Sequence, residues 1–274
     1  VEECAITVDL LSDGVDFRLS EIDPRRAGRK ALAVNLSDLA AMAARPLAAV
    51  VSVCLPREGG GPLAKALVEG MLPLAEEHGV AIAGGDTNSW DGPLVISATL
   101  LGAITDRGPL RRGGAVPGDR IVVTGALGGS ILGRHLDFEP RVREALLLNE
   151  RYQLHAGIDI SDGLSVDLAH LADESGCGAL LHTARIPIHA DAYTLAASQG
   201  DATSPLAHAL NDGEDFELLL AVPAAEAETL LKAQPLDVPL TDIGEFVAEP
   251  GVWTVDARGD RSKLTAGGWE HQFR

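Results

Sequence analysis

The sequence has few aromatic residues, few cysteines and no long apolar run. Aromatic residues make up 4% of the 274 residues, and the three cysteines, Cys4, Cys54 and Cys177, form no Cys-x-x-Cys pair. Scattered cysteines of this kind are typical of apolar core residues in a reducing compartment, so we expect a cytoplasmic protein. No apolar run approaches the roughly 20 residues that span a bilayer, and the chain does not open with a signal-peptide pattern. We therefore expect no membrane partner.

Basic residues are also scarce. The chain has 22 Lys and Arg residues against 40 Asp and Glu residues, a formal net charge of −18. Nucleic acids and anionic membranes bind patches of Lys and Arg, so neither is an expected partner. There are only four lysines and no G-x-x-x-x-G-K-[ST] loop. If the protein binds phosphate, it must therefore use metal ions, backbone N–H groups and arginines.

Apolar residues make up 46% of the chain and charged residues 23%, which is a globular composition. In the first part, hydrophobic patterning predicts strands over 4–11, 47–55, 80–83 and 94–104. It also predicts a helix from Asp23 to about Arg45, opened by an Asp-Pro cap, and a second helix over 61–78. This order favours a mixed sheet with its helices on one side.

The second part begins after a segment rich in glycine and proline. It is predicted to contain strands over 120–124, 157–160, 216–222, 240–247 and 252–255, with helices over 163–174 and 224–234 and helical segments around 129–135 and 140–153. The expected fold is therefore α/β (α+β), with two α/β domains. We place the N-terminal domain at 1–106, a linker at 107–119 and the C-terminal domain at 120–274.

Some acidic residues lie inside apolar segments, where solubility does not explain them. Asp38 shares one helix face with Asn35 in a helix that is otherwise apolar. An ionised carboxylate there is costly unless it is paired or binds a metal. A pair with Lys30 or Arg45 would also explain it. Asp9 lies in the first apolar strand, with Thr7 on the same face.

Further carboxylates follow predicted strands. Asp86, in Gly84–Thr87, comes after a strand, although a tight turn with an Asx hydrogen bond explains the same residues. Asp159 and Ser161 are predicted to share a strand face, and Ser161 or Asp162 is a natural N-cap of the next helix. Residues 211–217 add four acids. Together these carboxylates favour a hard cation such as Mg²⁺.

The combination of these segments resembles the thiamine-monophosphate kinase family, in the superfamily that includes aminoimidazole-ribotide synthetase. The resemblance covers essentially the whole chain. The Gly-Gly-Asp-Thr and Gly-Glu-Asp-Phe-Glu-Leu segments are most similar to the kinase branch. The segments that carry the resemblance, in order, are Thr7–Asp9, Lys30–Met42, Gly84–Thr87, Arg112–Asp119, Ile158–Leu164, Gly213–Leu218 and Gly268–Phe273.

The resemblance implies a set of site residues. Mg²⁺ ions would be held by Thr7, Asp9, Asp38, Asp86, Asp159 and Asp162, of which Asp38, Asp86 and Asp159 would be catalytic. ATP would contact Gly85, Arg112 and Ser161, although Arg112 is also explained as part of an ordinary basic linker. The acceptor would be bound near Asp16, Glu214 and Trp269, with Trp269 stacked on a cationic heterocycle.

The resemblance also implies an activity and an assembly. The expected reaction is ATP- and Mg²⁺-dependent phosphorylation of thiamine monophosphate to thiamine diphosphate by direct in-line transfer. A homodimer would form through the N-terminal sheets. The alternatives are a divergent ATP-dependent relative that acts on another substrate, and a nucleotide-binding protein that has lost catalysis.

The sequence departs from the family pattern in three ways. Asp16 replaces a histidine that helps to hold the substrate phosphate, and a carboxylate there repels phosphate unless a cation intervenes. Val8 stands where the family has a second threonine or a similar residue. The family's Gly-Asp-Asp segment, which supplies further metal contacts, is expected upstream of Val1.

Overall fold

The computed structural model describes residues 3–199 and 203–268. The chain divides into two compact units, Val1–Pro109 with Leu136–Val142, and Leu110–His135 with Arg143–Arg274. Each unit contains a β-sheet and helices, which confirms the predicted α/β fold class. Within the described residues no helix is both long and apolar enough to cross a bilayer.

The N-terminal unit has a four-stranded sheet in the order β1-β4-β2-β3. β2 and β3 are parallel, and the other neighbouring strands are antiparallel. The elements are β1 (Cys4–Ser12), α1 (Pro24–Ala41), β2 (Arg45–Pro56), α2 (Gly60–Glu77), β3 (Ala81–Trp90) and β4 (Val95–Ala103). The sheet is thus mixed, and β1 and β3 form its two edges.

Helix α1 begins as the sequence predicts and ends earlier. The Asp23 side chain accepts a hydrogen bond from the N–H of Arg25, and Pro24 is the first helical residue. The predicted end near Arg45 is wrong, because Ala43 adopts a left-handed conformation with φ of 50° and the N–H of Ala44 turns back to Leu39 O. Arg45 then begins β2, so α1 and β2 are joined by a tight turn.

One face of this sheet is covered by helices. Alternate residues of β1 differ in burial: Ala5 and Leu11 are buried, whereas Ile6, Val8 and Leu10 are 62–67% exposed. Because α1 contacts β1, β4 and β2, the buried face is the helical side. The opposite face carries an exposed apolar row on an edge strand.

Strand β3 is longer than predicted. The predicted end of the strand at Ala83 is wrong, and so is the alternative of a tight turn at 84–87, since these residues continue the strand to Trp90 and pair in parallel with β2, with Gly85 opposite Val51 and Asp86 opposite Ser52. The ladder with β2 supplies the hydrogen bonds that a local turn would otherwise have made. Asp86 is therefore a strand residue.

The second sheet has seven strands in the order β11-β10-β7-β9-β5-β8-β6, and only β7 and β10 pair in parallel among its described neighbours. After β4 the chain forms, in order, β5 (Arg120–Thr124), α3 (Arg134–Asp137), α4 (Val142–Arg151), β6 (Ala156–Asp159), α5 (Leu164–Ser175), β7 (Gly178–His182), α6 (Ala190–Gln199), α7 (Pro205–Asn211), β8 (Leu218–Val222), α8 (Ala224–Ala233), β9 (Leu240–Val247), β10 (Gly251–Val255) and β11 (Arg261–Lys263), with 3₁₀ turns at Ser130–Leu132 and Thr183–Arg185.

The core of this unit lies where α5 packs on the sheet. Leu164, Leu168 and Leu171 of α5 are fully buried together with Ile121 and Val123 of β5. The antiparallel register pairs the last residue of β6, Asp159, with the first residue of β8, Leu218. The loop after β6 and the segment before β8 therefore lie side by side at one end of the sheet.

Candidate functional site

Three predicted oxygen ligands lie together in the N-terminal unit. Thr7 and Asp9 are two residues apart on β1, so both side chains lie on the helical face of the sheet. The Thr7 hydroxyl donates a hydrogen bond to Oδ2 of Asp38 on α1. Thr7, Asp9 and Asp38 are all partly buried. Two carboxylates and a hydroxyl at one interface between a strand and a helix form a donor set that suits Mg²⁺.

Asp86 does not join this group within one chain. The strand pairs place Asp9, Ala98, Val51 and Gly85 in one row across the sheet. Asp86 is one residue out of phase with that row, on the edge strand opposite β1. Three strand spacings separate the two edges by about 14 Å. Asp86 is exposed, and its Oδ1 accepts a hydrogen bond from the N–H of Thr87 at 2.9 Å.

Asp16 holds the turn that follows β1. Its Oδ2 accepts a hydrogen bond from the N–H of Ser12 at 2.6 Å. Nζ of Lys30, a fully buried residue of α1, donates to the carbonyl oxygen of Asp16 at 2.9 Å. From the sequence, Lys30 was assigned to a motif and named as a possible partner of Asp38, and its contact with Asp16 was missed, although a lysine in an otherwise apolar helix is a signal for an anchoring role.

In the C-terminal unit the loop after β6 surrounds a buried carboxylate. The backbone N–H groups of Ser161, Asp162 and Gly163 all donate to Oδ2 of Asp167, at 3.0, 3.0 and 3.1 Å. The predicted N-cap role of Ser161 or Asp162 is therefore wrong, because Gly163 occupies the cap position and Asp167 satisfies the free N–H groups. β6 ends at Asp159, so Ser161 lies in the loop and not on the strand.

The acids around this loop repel one another. Burial, together with the negative charges of Asp159 and Asp162, raises the pKa of Asp167 to about 8, although the N–H groups of Asp162 and Gly163 act in the opposite direction. Asp159 is itself only 3% exposed. A bound cation would offset this concentration of negative charge, so the three aspartates fit a divalent metal. The role of Asp167 was not predicted, because in the sequence it is simply an acidic residue within a predicted helix.

The segment before β8 contacts this loop directly. The N–H of Glu214 donates to the carbonyl oxygen of Ser161 at 2.7 Å, and the N–H of Phe216 donates to Ile160 O at 2.8 Å. Glu214 is partly buried and has a left-handed backbone with φ of 64°. The structure thus brings the predicted acceptor residue Glu214 next to the predicted nucleotide residue Ser161.

Two predicted residues lie elsewhere. Arg112 is exposed, and its carbonyl oxygen accepts a hydrogen bond from the Ser175 hydroxyl at 3.2 Å. Trp269 lies outside the described residues.

A further group in the N-terminal unit has ligand atoms within 4.8 Å of one another, namely Glu77, His78 and Glu139. It is not part of the predicted set. Nη2 of Arg29 lies 3.4 Å from Oε2 of Glu139, so this carboxylate already has a cationic neighbour.

Comparisons with known proteins agree across the chain. The model of the AIR synthase related protein N-terminal domain matches residues 1–104, and that of the C-terminal domain matches residues 129–255. The thiamine-monophosphate kinase of Rhodopirellula baltica is 44% identical over 263 residues, which are 96% of this chain and 82% of that protein.

Solved structures give the same result. The thiamine-monophosphate kinase from Stenotrophomonas maltophilia K279a superposes with a TM-score of 0.81 at 34% identity, over 92% of this chain and 85% of that one. AaThiL complexed with AMPPCP and TMP superposes with a TM-score of 0.86 at 27% identity, over 99% of this chain and 88% of that one. This chain therefore belongs to the thiamine-monophosphate kinase family.

Proposed function

We propose that this protein transfers the γ-phosphoryl group of ATP to the phosphate of thiamine monophosphate, producing thiamine diphosphate and ADP. The observation in this chain that carries the proposal is the hydrogen bond from Glu214 N to Ser161 O at 2.7 Å, which joins the residue proposed to bind the acceptor to the residue proposed to contact ATP. A family member has been solved with AMPPCP and TMP together, which supports the same pair of substrates here.

Mg²⁺ ions are part of the proposal. Thr7, Asp9 and Asp38 would hold metal in the N-terminal unit, and Asp159 with Asp162 in the C-terminal unit. Bound there, Mg²⁺ would neutralise phosphate charge and orient phosphate oxygens for in-line attack. The surroundings of Asp167 support this assignment: after burial, the next causes of its raised pKa are the negative charges of Asp159 and Asp162, which a cation would offset.

The side chains then orient the two substrates. The attacking atom is a phosphate oxygen that is already ionised near neutral pH, so the reaction needs no general base. Gly85, Arg112 and Ser161 would position ATP, since the Ser161 hydroxyl and the Arg112 guanidinium are donors that suit phosphate. Glu214 and Trp269 would bind the cationic thiamine portion.

We propose a homodimer built through the N-terminal sheets. The exposed apolar row Ile6, Val8 and Leu10 supports this arrangement, because such rows commonly mark protein interfaces. The two sheet edges support it as well: β3 of one protomer beside β1 of its partner would bring Asp86 towards Asp9, which one chain keeps apart.

The matched ranges 1–104 and 129–255 support a division into domains 1–106 and 120–274 with a linker over 107–119. We also propose a cytoplasmic location, where ATP is available.

The deciding experiment measures ADP release by the purified protein with and without thiamine monophosphate, over a range of Mg²⁺ concentrations. We expect release only when both are present. Equal ATP consumption without thiamine monophosphate would contradict the proposal and favour another acceptor.

Metal binding is tested by Asp86→Asn. Because Asp86 is exposed, this change should leave folding intact and lower turnover by about a hundredfold or more. Asp91→Asn is the matched control, since Asp91 is exposed and paired with Arg57 at 2.9 Å close to the same strand. Near-normal turnover of Asp86→Asn at saturating Mg²⁺ would remove Asp86 from the site.

A further inference from the structure

Asp215, which the proposed reaction does not use, lies directly after Glu214. Its side chain is 0% exposed. Both of its carboxylate oxygens accept the N–H of Gly128, at 3.0 and 2.9 Å. Nη2 of Arg134 donates to Oδ1 of Asp215 at 3.0 Å and also to the carbonyl oxygen of Gly128 at 2.9 Å. Asp215, Gly128 and Arg134 therefore form a closed, buried set of hydrogen bonds.

The residues on either side of Asp215 have unusual backbone conformations. Glu214 and Phe216 have φ of 64° and 52°, and neither is glycine. A left-handed conformation at such residues costs of the order of 1 kcal/mol or more and persists only where the surroundings impose it. The Asp215 side chain lies between these two residues, so its contacts are one of the local constraints that hold their conformations.

The same segment is held from two sides. On one side the N–H of Gly129 donates to Oδ2 of Asp212 at 2.8 Å, and the Ser130 hydroxyl donates to Gly213 O at 2.7 Å. On the other side the N–H groups of Glu214 and Phe216 donate to the loop after β6. The loop over 125–130 after β5 therefore supports the segment over 212–216, and the fully buried side chain of Asp215 is one of the contacts between them.

We propose that Asp215 is a positioning residue for the acceptor: anchored to Gly128 and Arg134, it fixes the backbone of Glu214 and so places the Glu214 carboxylate for the cationic acceptor beside Ser161. This inference rests on the proposed function. It assigns to Asp215 an effect on acceptor binding that acts through Glu214 and does not reach ATP.

The test compares Asp215→Asn with the wild-type protein in steady-state kinetics. An amide cannot accept from both donors with the strength of a carboxylate, so the anchor weakens. We expect the KM for thiamine monophosphate to rise by about tenfold, while the KM for ATP stays within about twofold. Arg134→Gln, which removes the same anchor from its other side, should give the same pattern. A fall in kcat with both KM values unchanged would indicate a purely structural role and overturn the proposal.

Asp242→Asn is the control variant. Asp242 pairs with Arg120 in the same unit, with Nη2 at 2.9 and 2.7 Å from its two oxygens, so the change also removes a carboxylate from an arginine. It should leave both KM values unchanged. An equal rise in the KM for thiamine monophosphate in this variant would count against a specific role for Asp215.

A double-mutant cycle decides whether Asp215 acts through Glu214. In a Glu214→Ala background, Asp215→Asn should change the KM for thiamine monophosphate by less than about twofold. If Asp215→Asn raised the KM for thiamine monophosphate by the same factor with and without the Glu214 side chain, the proposal would be overturned.

Hydrogen exchange separates this proposal from the proposed function. Asp215→Asn should speed amide exchange at Glu214 and Phe216 relative to β9, whether or not thiamine monophosphate is the acceptor. If the wild-type protein does not phosphorylate thiamine monophosphate, the proposed function fails while the anchor is still measured. Unchanged exchange at both amides would refute the anchor itself.

Discussion

A Cβ atom placed on Gly85 would lie 1.8 Å from the carbonyl oxygen of Val51. The two residues face each other in the parallel ladder of β2 and β3. At the neighbouring Gly84, a Cβ atom would have no heavy atom within 4 Å. The two glycines look equivalent in the sequence, but only Gly85 is required by the close approach of the strands, and it immediately precedes Asp86.

We therefore expect Gly85→Ala to be severe and Gly84→Ala to be mild. The added methyl group at residue 85 must push β3 away from β2, which displaces Asp86 and weakens the edge of the sheet. Thermal unfolding and Mg²⁺-dependent ADP release measure the two effects. Turnover of Gly85→Ala should fall by about tenfold or more, with a lower Tm, while Gly84→Ala stays within about twofold. Similar behaviour of the two variants would contradict the close approach.

Elements with strong local signals were predictable from the sequence. β5 and β9 have the predicted bounds, 120–124 and 240–247. The start of α1 follows from its cap, and the proximity of Thr7 to Asp38 agrees with a strand and a helix that both carry polar residues on an apolar face. Periodicity and capping are properties of neighbouring residues, so one sequence suffices to identify them.

The errors have non-local causes. The strand expected to end at residue 83 continues because 84–90 pair with β2, whose residues are more than 30 positions away. The expected cap at Ser161 or Asp162 is replaced by Asp167. This residue lies within α5, and its carboxylate accepts hydrogen bonds from three N–H groups of the preceding loop. Four elements among the described residues were not predicted, namely β7, α6, α7 and β11. β7, α7 and β11 have only five, seven and three residues, which is too short for a clear period, whereas α6 has ten residues.

Asp16 offers a test of acceptor binding. Its carboxylate accepts from Ser12 N–H at 2.6 Å, and an asparagine keeps an oxygen for that bond while removing the charge. If the acceptor phosphate lies near Asp16, Asp16→Asn should lower the KM for thiamine monophosphate several-fold, with a smaller effect at high salt because salt screens charges that solvent reaches, and Asp16 is only partly buried. Thiamine, which has no phosphate, should inhibit both proteins with the same Ki. A parallel change in that Ki would point to a distorted loop.

Asp215 also predicts a pH dependence of stability. Burial raises its pKa to about 7, while the charge of Arg134 acts in the opposite direction. An unfolded aspartate titrates near 3.9, so between about pH 4 and pH 7 the folded chain binds more protons than the unfolded chain. The contribution of this group to the free energy of unfolding therefore falls as the pH rises through that range.

Asp215→Asn removes this dependence. We expect the free energy of unfolding of the variant to improve relative to wild type as the pH rises from about 4 to about 7, by up to about 1.4 kcal/mol per pH unit. Urea unfolding at several pH values measures both curves. Parallel curves would show that the Asp215 carboxyl titrates alike in the folded and unfolded states.

The exposed row on β1 predicts the oligomeric state. Ile6 is 67% exposed on an edge strand, in line with Val8 and Leu10, so a charge there costs little in a monomer and much in an apolar interface. Sedimentation should give the wild-type protein twice the chain mass of 28.6 kDa, and Ile6→Asp the mass of one chain. Leu72→Asp, on α2 and 51% exposed, is the control and should remain dimeric.

If β3 of one protomer completes the metal site of its partner, the monomeric variant also loses Mg²⁺-dependent turnover. A monomeric wild-type protein with full activity would refute both the dimer and the shared site.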